Sequence, residues 1–242
     1  MSAVFCRLLK PARRSCSMNS MGMACRNGRV FGVELMDTAE PELARGSLRD
    51  LVRLNRYFGG HIVLRGMLAG LVRRDEAFSV LDVGAASGDM AAVVHRLYPR
   101  ANVVCLDRRM LHLEDARTIR VAGDAFHLPF APRSFDFVFS SLFLHHFRND
   151  GVVELLRGFR TTARRAVLAI DLDRHPLAYY FPPATQWLLQ WRDITVHDAK
   201  LSVESGFKSH ELRELALAAG LSRACVQTHH PWFRLSLVAP VF

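Results

Sequence analysis

The sequence lacks the features that would place the protein in a membrane or in an oxidising compartment. No stretch reaches the roughly 18 consecutive apolar residues of a transmembrane helix, and the apolar patch over residues 5–9 is too short for a signal-peptide core. The five cysteines contain no C-x-x-C pair, which excludes zinc-finger spacing, and their odd number is typical of reduced thiols. We therefore expect a cytoplasmic protein that does not insert stably into a membrane.

Acidic residues are nearly missing from the N-terminal segment. Residues 1–35 contain six basic side chains and one acid, Glu34, and so carry +5 of the formal net charge of +9. Two interpretations stay open: a basic targeting or interaction arm, or a start placed too early, with the true start at Met36. On either one we predict a disordered or artefactual leader without a catalytic role. The rest of the chain has no basic stripe interleaved with aromatics, so we expect no nucleic-acid partner.

The glycine pattern after the first apolar run excludes two common nucleotide-binding loops. In residues 79–89, SVLDVGAASGD, Gly84 and Gly88 are spaced G-x-x-x-G, with Ala86 where a dinucleotide-binding G-x-G-x-x-G has its middle glycine. Asp89 follows, where a phosphate loop has lysine and then serine or threonine. The pattern predicts a buried strand, a tight turn and a helix N-terminus, which is where an open α/β sheet binds its ligand.

Three segments resemble one protein family. Residues 82–88, DVGAASG, resemble the first motif of the class I S-adenosylmethionine-dependent methyltransferases, in which an acidic residue and any residue precede a glycine-rich turn. Residues 123–130, GDAFHLPF, resemble the third motif in a form similar to the ubiquinone and menaquinone C-methyltransferases and their small-molecule relatives. Residues 171–175 show a weaker similarity to a subgroup from bacterial polyketide and quinone pathways. The resemblance covers roughly residues 40–242 and implies S-adenosylmethionine as the cofactor.

Apolar runs alternate with helical segments through the central part of the chain, and this order predicts a parallel sheet covered on both faces. Ser47 opens a predicted capping box in the first of two leading helices, which Gly59 separates. With the resemblance, we expect an α/β fold: a Rossmann-like seven-stranded sheet, mostly parallel with an antiparallel last strand, in a methyltransferase domain over residues 36–242. That domain includes a helical cap over residues 36–76 and a lid insertion over residues 174–207. The predicted strands cover residues 79–82, 102–106, 119–122, 135–140, 166–170, 223–229 and 233–241.

Acidic residues at predicted strand ends are candidates for holding the cofactor. A carboxylate at Asp107 can accept hydrogen bonds from both ribose hydroxyls, although NAD-binding folds place an acid similarly and a solvated strand-end acid is the alternative. By the family pattern, Asp82 helps to hold the amino group of the methionine moiety, and Asp124 accepts from the adenine amino group. Asp89 lies near that amino group or acts as a helix N-terminal acid. The predicted cofactor-binding residues are Asp82, Gly84, Ala86, Gly88, Asp107, Arg108, Asp124, Ala125 and Ser140.

His145 and His146 follow the fourth predicted strand, in a loop that borders both the sulfonium and the substrate in this family. Methyl transfer needs positioning and, for a hydroxyl or carbon acid, a base. Either histidine can be that base, because unperturbed imidazole has a pKa of about 6.5; the alternative is that both pack or cap. None of the eleven histidines shows a His-x-x-x-His spacing with a carboxylate partner, so we predict no metal site.

The five aromatic residues between Tyr179 and Trp191 favour an apolar or aromatic acceptor, or alternatively a core or dimer contact. We therefore predict a monomer or homodimer that transfers a methyl group from S-adenosylmethionine to a small molecule. The acceptor is a phenolic, quinone-like or polyketide-derived oxygen or carbon. Two alternatives remain. One is a catalytically silent partner protein with the same fold; the other is an NAD-type oxidoreductase, which the missing G-x-G-x-x-G disfavours.

Overall fold

The computed structural model describes residues 28–32, 34–35 and 40–242. Most of the predicted leader thus lies outside the described residues. Within them, no helix combines the length and the apolarity that crossing a bilayer requires. At the described end of the leader, the Nε of Arg29 donates to the carbonyl oxygen of Ser205 at 2.7 Å, and its guanidinium lies 3.9 Å from the ring centroid of Phe207. This end of the leader therefore packs on the folded body.

Seven strands of the described chain form one sheet, and most consist of apolar residues buried on both faces, as expected for a covered parallel sheet. They are β1 (Ser79–Val83), β2 (Asn102–Asp107), β3 (Ile119–Ala122), β4 (Phe135–Ser141), β5 (Ala163–Leu172), β6 (Cys225–His229) and β7 (Arg234–Pro240). Their order is β3-β2-β1-β4-β5-β7-β6. The first five pair in parallel, whereas β7 runs antiparallel to both β5 and β6. The predicted seven-stranded sheet with an antiparallel last strand is confirmed.

Helices cover both faces of the sheet, as predicted. They are α1 (Pro41–Tyr57), α2 (Gly60–Ala69), α3 (Asp89–Leu97), α4 (Asn149–Thr162), α5 (Pro176–Leu189), α6 (Asp193–Ser205) and α7 (Ser209–Ala218). On one face, α2 and α3 bury side chains such as Leu64 and Val94 against the sheet. On the other face, α4 and α7 bury Phe159 and Leu212. The two apolar layers hold the strands rigidly, so that the loops at their carboxyl ends are anchored.

The helical cap differs from the prediction at its start. Helix α1 begins at Pro41, because the fixed φ and missing N–H of proline are tolerated in a first turn. Ser47 therefore lies inside the helix and the predicted capping box is wrong; its buried hydroxyl has no hydrogen-bond partner in the described part of the chain. The predicted break at Gly59 is confirmed. This residue has a φ of +91°, and a Cβ there would lie 2.5 Å from the Cβ of Trp232.

Residues 174–207 form the two helices α5 and α6, which pack beside the carboxyl edge of the sheet. The hydroxyl of Thr195 donates to Asp50 at 2.9 Å, and the guanidinium of Arg53 lies 4.7 Å from the ring centroid of Trp191. These contacts join the segment to α1. That the segment acts as a lid stays a prediction.

Candidate active site

A cavity of about 1000 Å³ lies at the carboxyl ends of β1, β2 and β4. Parallel neighbours end at one edge of an open sheet, so the loops that follow them converge there. The corner between α1 and α2, the helices α5 and α6, and the β6–β7 loop complete the wall. The lining includes Glu34, Asn55, Phe58, Asp82, Ala86, Asp89, Asp107, Asp124, His145, His146, Phe181 and Arg234.

Two glycines shape the turn between β1 and α3. Gly84 has a φ of +69°, and a Cβ there would overlap the ring of Phe143. Gly88 has a φ of +70°, and its Cβ would lie 2.6 Å from the side chain of Ala116. Both positions therefore need glycine. Ala86 between them also adopts the left-handed conformation, with a φ of +47°. Alanine reaches this conformation at some cost, and its amide then donates to the carboxylate of Asp107.

Asp107 receives hydrogen bonds from several directions. Its Oδ2 accepts from the amide of Ala86 at 3.1 Å, while its Oδ1 accepts from the amide of Arg109 at 3.1 Å and lies 3.2 Å from Nδ1 of His112. Burial alone would raise the pKa of Asp107, but the bonds from His112 and from the Arg109 amide outweigh it and lower the pKa below its ordinary value. The group is therefore an ionised acceptor at the cavity wall.

Asp82 is a buried acid beneath the same loop. Its Oδ2 has no hydrogen-bond partner among the described residues. Burial, together with the nearby charges of Asp89 and Asp107, raises the pKa of Asp82 well above its usual range. Asp89, in the first turn of α3, accepts from Nδ2 of Asn55 at 3.2 Å and lies 2.9 Å from Nε2 of His61. A cationic group placed beside Asp82 would favour its ionised form.

Asp124 lies in the exposed loop after β3. Its Oδ1 accepts from the amide of Phe126 at 3.0 Å, and its Oδ2 lies 3.2 Å from Nδ1 of His127. The Phe126 amide, followed by His127, lowers the pKa of Asp124. The carboxylate thus borders the cavity with its position fixed by its own loop. The neighbouring predicted residues Arg108 and Ala125 also line the cavity.

Two predicted cofactor residues lie behind the wall. Ser140 is buried within β4, and its hydroxyl finds no partner within the described chain, whereas Ser141 lines the cavity. Successive side chains of a strand point to opposite faces of the sheet. A prediction that is wrong by one residue therefore selects Ser140 in place of Ser141. Gly88 fixes the turn from behind. The cofactor role of each predicted residue stays a prediction.

His145 forms a buried pair with Asp171. The last residues of β5 place Asp171 beside the 3-10 turn Leu144–His146, and its Oδ2 accepts from the amides of Leu144 and His145 at 3.0 and 3.3 Å. Its Oδ1 lies 2.6 Å from Nδ1 of His145. Burial alone would lower the pKa of His145, but the charges of Asp171 and Glu34 outweigh it and raise the pKa to about 9. The carboxylate thus fixes both the turn and the ring.

Glu34 reaches the same cluster from the N-terminal segment. Its Oε1 lies 3.7 Å from Nε2 of His145 and 3.9 Å from Nδ1 of His146, and the hydroxyl of Ser202 donates to it. Burial alone would raise the pKa of Glu34, but His145 and His146 lower it to about 2. One ligand atom each from Glu34, His145 and His146 lies within 4.8 Å of the others, a grouping that sequence spacing did not show. The absence of a metal site stays a prediction.

Sequence reasoning did not select Glu34, Asp171 or Arg234 for the site. Asp171 had a usable signal, because it is the second-last residue of β5 and so lies at the carboxyl end of its strand, as Asp107 does in β2. Glu34 stood out only as the single acid of a basic leader, and it reaches the cavity through a long-range contact. Arg234 follows the β6–β7 loop, and no pattern in the sequence marks it. Tertiary packing, which brings distant segments to one edge, decides all three.

Residues 80–177 match a protein-family model described as a methyltransferase domain. The chain carries a class I S-adenosylmethionine-dependent methyltransferase domain. The matched range begins in β1 and ends in α5, so this methyltransferase domain includes the glycine turn, Asp107, Asp124 and both histidines. The predicted family is confirmed.

Relatives of the methyltransferase domain cover parts of the chain. This chain is 32% identical over 118 residues to the tetracenomycin polyketide synthesis 8-O-methyl transferase TcmO of Streptomyces glaucescens. The match covers 45% of this chain and 33% of that protein. Over 70 residues it is 43% identical to the ubiquinone/menaquinone biosynthesis C-methyltransferase UbiE of Desulfotalea psychrophila, covering 26% and 28% of the two chains. The chain thus spans about a third of the length of these two relatives. The solved plantazolicin methyltransferase BamL has the same fold, with a TM-score of 0.64 at 12% identity over 84% of this chain and 92% of that one.

Proposed function

We propose that this protein transfers a methyl group from S-adenosylmethionine to a hydroxyl or acidic carbon of an aromatic small molecule. The observation that carries the proposal is that one cavity is lined both by the glycine turn with Asp107 and by His145, whose ring is held from behind by Asp171. The first set fits a nucleoside, and the second fits the removal of a proton from an acceptor. Both are needed for methylation of a hydroxyl.

The residues at the β1 and β2 ends fit the cofactor. The ionised, anchored carboxylate of Asp107 suits the two ribose hydroxyls, and Asp124 with the backbone beyond it suits the adenine edge. The buried Oδ2 of Asp82, which has no partner among the residues described, suits an ammonium group. S-adenosylmethionine supplies a methyl carbon that its sulfonium has already activated, so this chain's own residues need to position the partners and handle a proton.

The His145–Asp171 pair is placed to handle that proton. Asp171 holds Nδ1 of His145, which leaves Nε2 directed away from it. A neutral ring in this tautomer accepts a proton at Nε2, and the carboxylate stabilises the cation that forms. Of the two predicted histidines, His145 is the one with this arrangement, so we assign it the base and place His146 beside it as a wall residue.

Aromatic side chains around the cavity support an aromatic acceptor. Phe58, Phe143 and Phe181 line it, and the rings of Phe58 and Phe181 contact edge to face with centroids 4.8 Å apart. Of the five aromatic residues predicted to contact the acceptor, Phe181 is the one that lines the cavity, while Trp187 is 80% exposed. The phenolic, quinone-like or polyketide-derived acceptor is thus supported chiefly by the cavity's other aromatic residues.

Calorimetric titration of the full chain with S-adenosylmethionine, S-adenosylhomocysteine and NAD tests the proposal. We expect micromolar binding of the first two and none of NAD. Asp107→Ala should weaken both by about 10- to 100-fold, because charge-assisted hydrogen bonds are lost. Asp115→Ala removes an exposed acid nearby and should change nothing. Binding of NAD alone would overturn the cofactor assignment, and cofactor binding without turnover on any phenol or quinol would favour a silent partner protein.

A further inference from the structure

Arg234 is a buried cation with an unused hydrogen-bond donor. It opens β7, is 3% exposed and lines the cavity. Its Nε donates to the carbonyl oxygen of Phe58 at 3.3 Å, but its Nη1 has no acceptor among the residues that the structure describes. A buried guanidinium with an unmatched donor is costly, because its lost hydration is not replaced. Such a group at a cavity wall indicates that a ligand supplies the missing acceptor.

The acids near Arg234 do not fill this need. Asp171 and Asp89 lie close enough for their charges to raise the pKa of Arg234, while burial, the larger effect, lowers it to about 10. The side chain is therefore still a cation at neutral pH. Asp171 is engaged by His145 and by backbone amides, and Asp89 by Asn55 together with a histidine. Neither carboxylate accepts from Nη1 within the described chain.

The cavity also holds an unmatched group of opposite sign. Asp82 is buried, and its Oδ2 has no partner within the described ranges; the charge of Asp89 acts on both Asp82 and Arg234. Both groups therefore lie close enough to Asp89 for its charge to act on them. A ligand that carries a cationic group and a carboxylate would match both of them, whereas a neutral ligand would leave both unsatisfied.

We propose that Arg234 binds a carboxylate of the molecule that occupies the cavity, with Nη1 as the donor. The inference deepens the proposed function and rests on it. Two molecules can supply this carboxylate: the amino-acid end of the cofactor, or an acidic acceptor held close to His145. In either case the planar guanidinium is oriented by its hydrogen bond to the carbonyl oxygen of Phe58. It can therefore donate a directional hydrogen bond that a lysine ammonium would not reproduce.

Paired ligands that differ in one carboxylate separate the two sources. Calorimetry compares S-adenosylhomocysteine with its decarboxylated analogue, 5′-(3-aminopropylthio)-5′-deoxyadenosine, on the full-length wild type and on Arg234→Gln. If the cofactor supplies the carboxylate, the variant binds S-adenosylhomocysteine about 10- to 100-fold more weakly and the decarboxylated analogue unchanged. If the acceptor supplies it, both nucleosides bind the variant normally. Benzoate, titrated with and without S-adenosylhomocysteine, then binds the wild type and not the variant.

The same experiment can overturn the inference. Equal weakening of both nucleosides in Arg234→Gln would show a structural role, and unchanged binding of both nucleosides and of benzoate would show that the guanidinium binds no carboxylate. Arg223→Gln, an exposed change just before β6, is the matched control, and circular dichroism checks folding. Should Arg234→Gln fail to fold, Arg234→Lys keeps the charge and undergoes the same comparison. Failure of the wild type to bind S-adenosylhomocysteine would instead count against the proposed function, while the benzoate titration would still decide the role of Arg234.

Discussion

At the residue scale, the site depends on carboxylates whose pKa values are set by what each one touches. Asp82 is buried, its Oδ2 has no hydrogen-bond partner in the described part of the chain, and its pKa is raised, whereas Asp107 accepts hydrogen bonds and its pKa is lowered. Asp171 is also buried, yet His145 and the backbone amides hold its pKa below the ordinary value. Similar residues thus differ with their surroundings: Asp82 is a buried acid whose pKa is raised, Asp107 is an ionised acceptor, and Asp171 is the partner that holds His145.

The base assignment predicts a particular pH profile. Because Asp171 and Glu34 raise the pKa of His145 to about 9, the neutral ring becomes available only as pH rises through that value, and kcat/KM should rise with it. Glu34→Gln removes one of the two charges, so the rising limb should move to lower pH. The measurement is the methylation rate of an accepted phenol from about pH 6 to about pH 10. This range spans both the ordinary imidazole pKa of about 6.5 and the raised pKa of His145, about 9.

The control for this profile is His210→Gln, which changes an exposed histidine of α7 that does not line the cavity. Its rising limb should coincide with that of the wild type. His145→Gln should lower kcat/KM by about 100- to 10,000-fold, the usual contribution of a positioned base. A rising limb that stays at the same pH in Glu34→Gln would contradict the electrostatic coupling between Glu34 and His145. Near-normal activity of the His145→Gln variant would show that His145 is not the base.

At the scale of elements, the corner between α1 and α2 meets the β6–β7 loop over the cavity. Gly59 adopts a φ of +91° there, and the side chain of Trp232 fills the space that a Cβ at Gly59 would need. The carbonyl of the preceding Phe58 accepts the hydrogen bond from Arg234. The break between two helices therefore has a structural purpose, because it lets the cap and the terminal hairpin close on each other without a side chain between them.

Gly59→Ala tests this corner. A Cβ would approach the Cβ of Trp232 to 2.5 Å and would strain a left-handed residue, so we expect the free energy of unfolding to fall by about 2 kcal/mol or more and cofactor affinity to drop. Gly66→Ala is the matched control within α2. A Cβ there meets no atom within 4 Å, so it should raise stability by about 0.5–1 kcal/mol. Urea denaturation measures both; equal effects of the two changes would contradict the close packing.

At the scale of the whole molecule, the Glu34–His145–Asp171 cluster joins the N-terminal segment, the β4 turn and the end of β5. Opposite charges alternate through it, and all three groups are buried. The folded state favours the imidazolium and both carboxylates, so their combined titration links the stability of the fold to pH. The cluster therefore couples distant parts of the chain.

We expect stability to fall as pH rises above neutrality. The pKa of His145 is raised from 6.5 to about 9, so its contribution is complete below pH 6.5 and disappears as pH rises through 9. The pKa of Glu34 is lowered from 4.5 to about 2, so its contribution is complete above pH 4.5 and is lost as pH falls through 2. Thermal unfolding of the wild type should therefore show a Tm that declines as pH rises from 6.5 to about 9.

His145→Gln should flatten this alkaline decline, although its absolute Tm will be lower because Asp171 and Glu34 lose their partner. The slope of Tm against pH is therefore the quantity to compare. The control variant His210→Gln should keep the wild-type slope. A slope in His145→Gln as steep as that of the wild type would place the pH dependence in other groups.

The sequence alone determined the sheet, the glycine turn after β1 and the family. Strand and loop patterns are local: the apolar run ending at Gly84, the acid at Asp107 and the segment 123–130 each depend on neighbouring residues, so they can be identified without the fold. Local pattern failed at Ser47, where Pro41 and the apolar face set the start of the helix. It also could not separate Ser140 from Ser141.

Only the tertiary structure decided which distant groups meet. His145 was identifiable as a candidate base, but its partner Asp171 lies 26 residues away and Glu34 lies in a segment of quite different composition. Arg234 reaches the cavity because β7 inserts antiparallel between β5 and β6. Sequence periodicity reports which face a residue occupies, whereas the pairing of charges depends on how strands order in a sheet and on how loops at one edge converge.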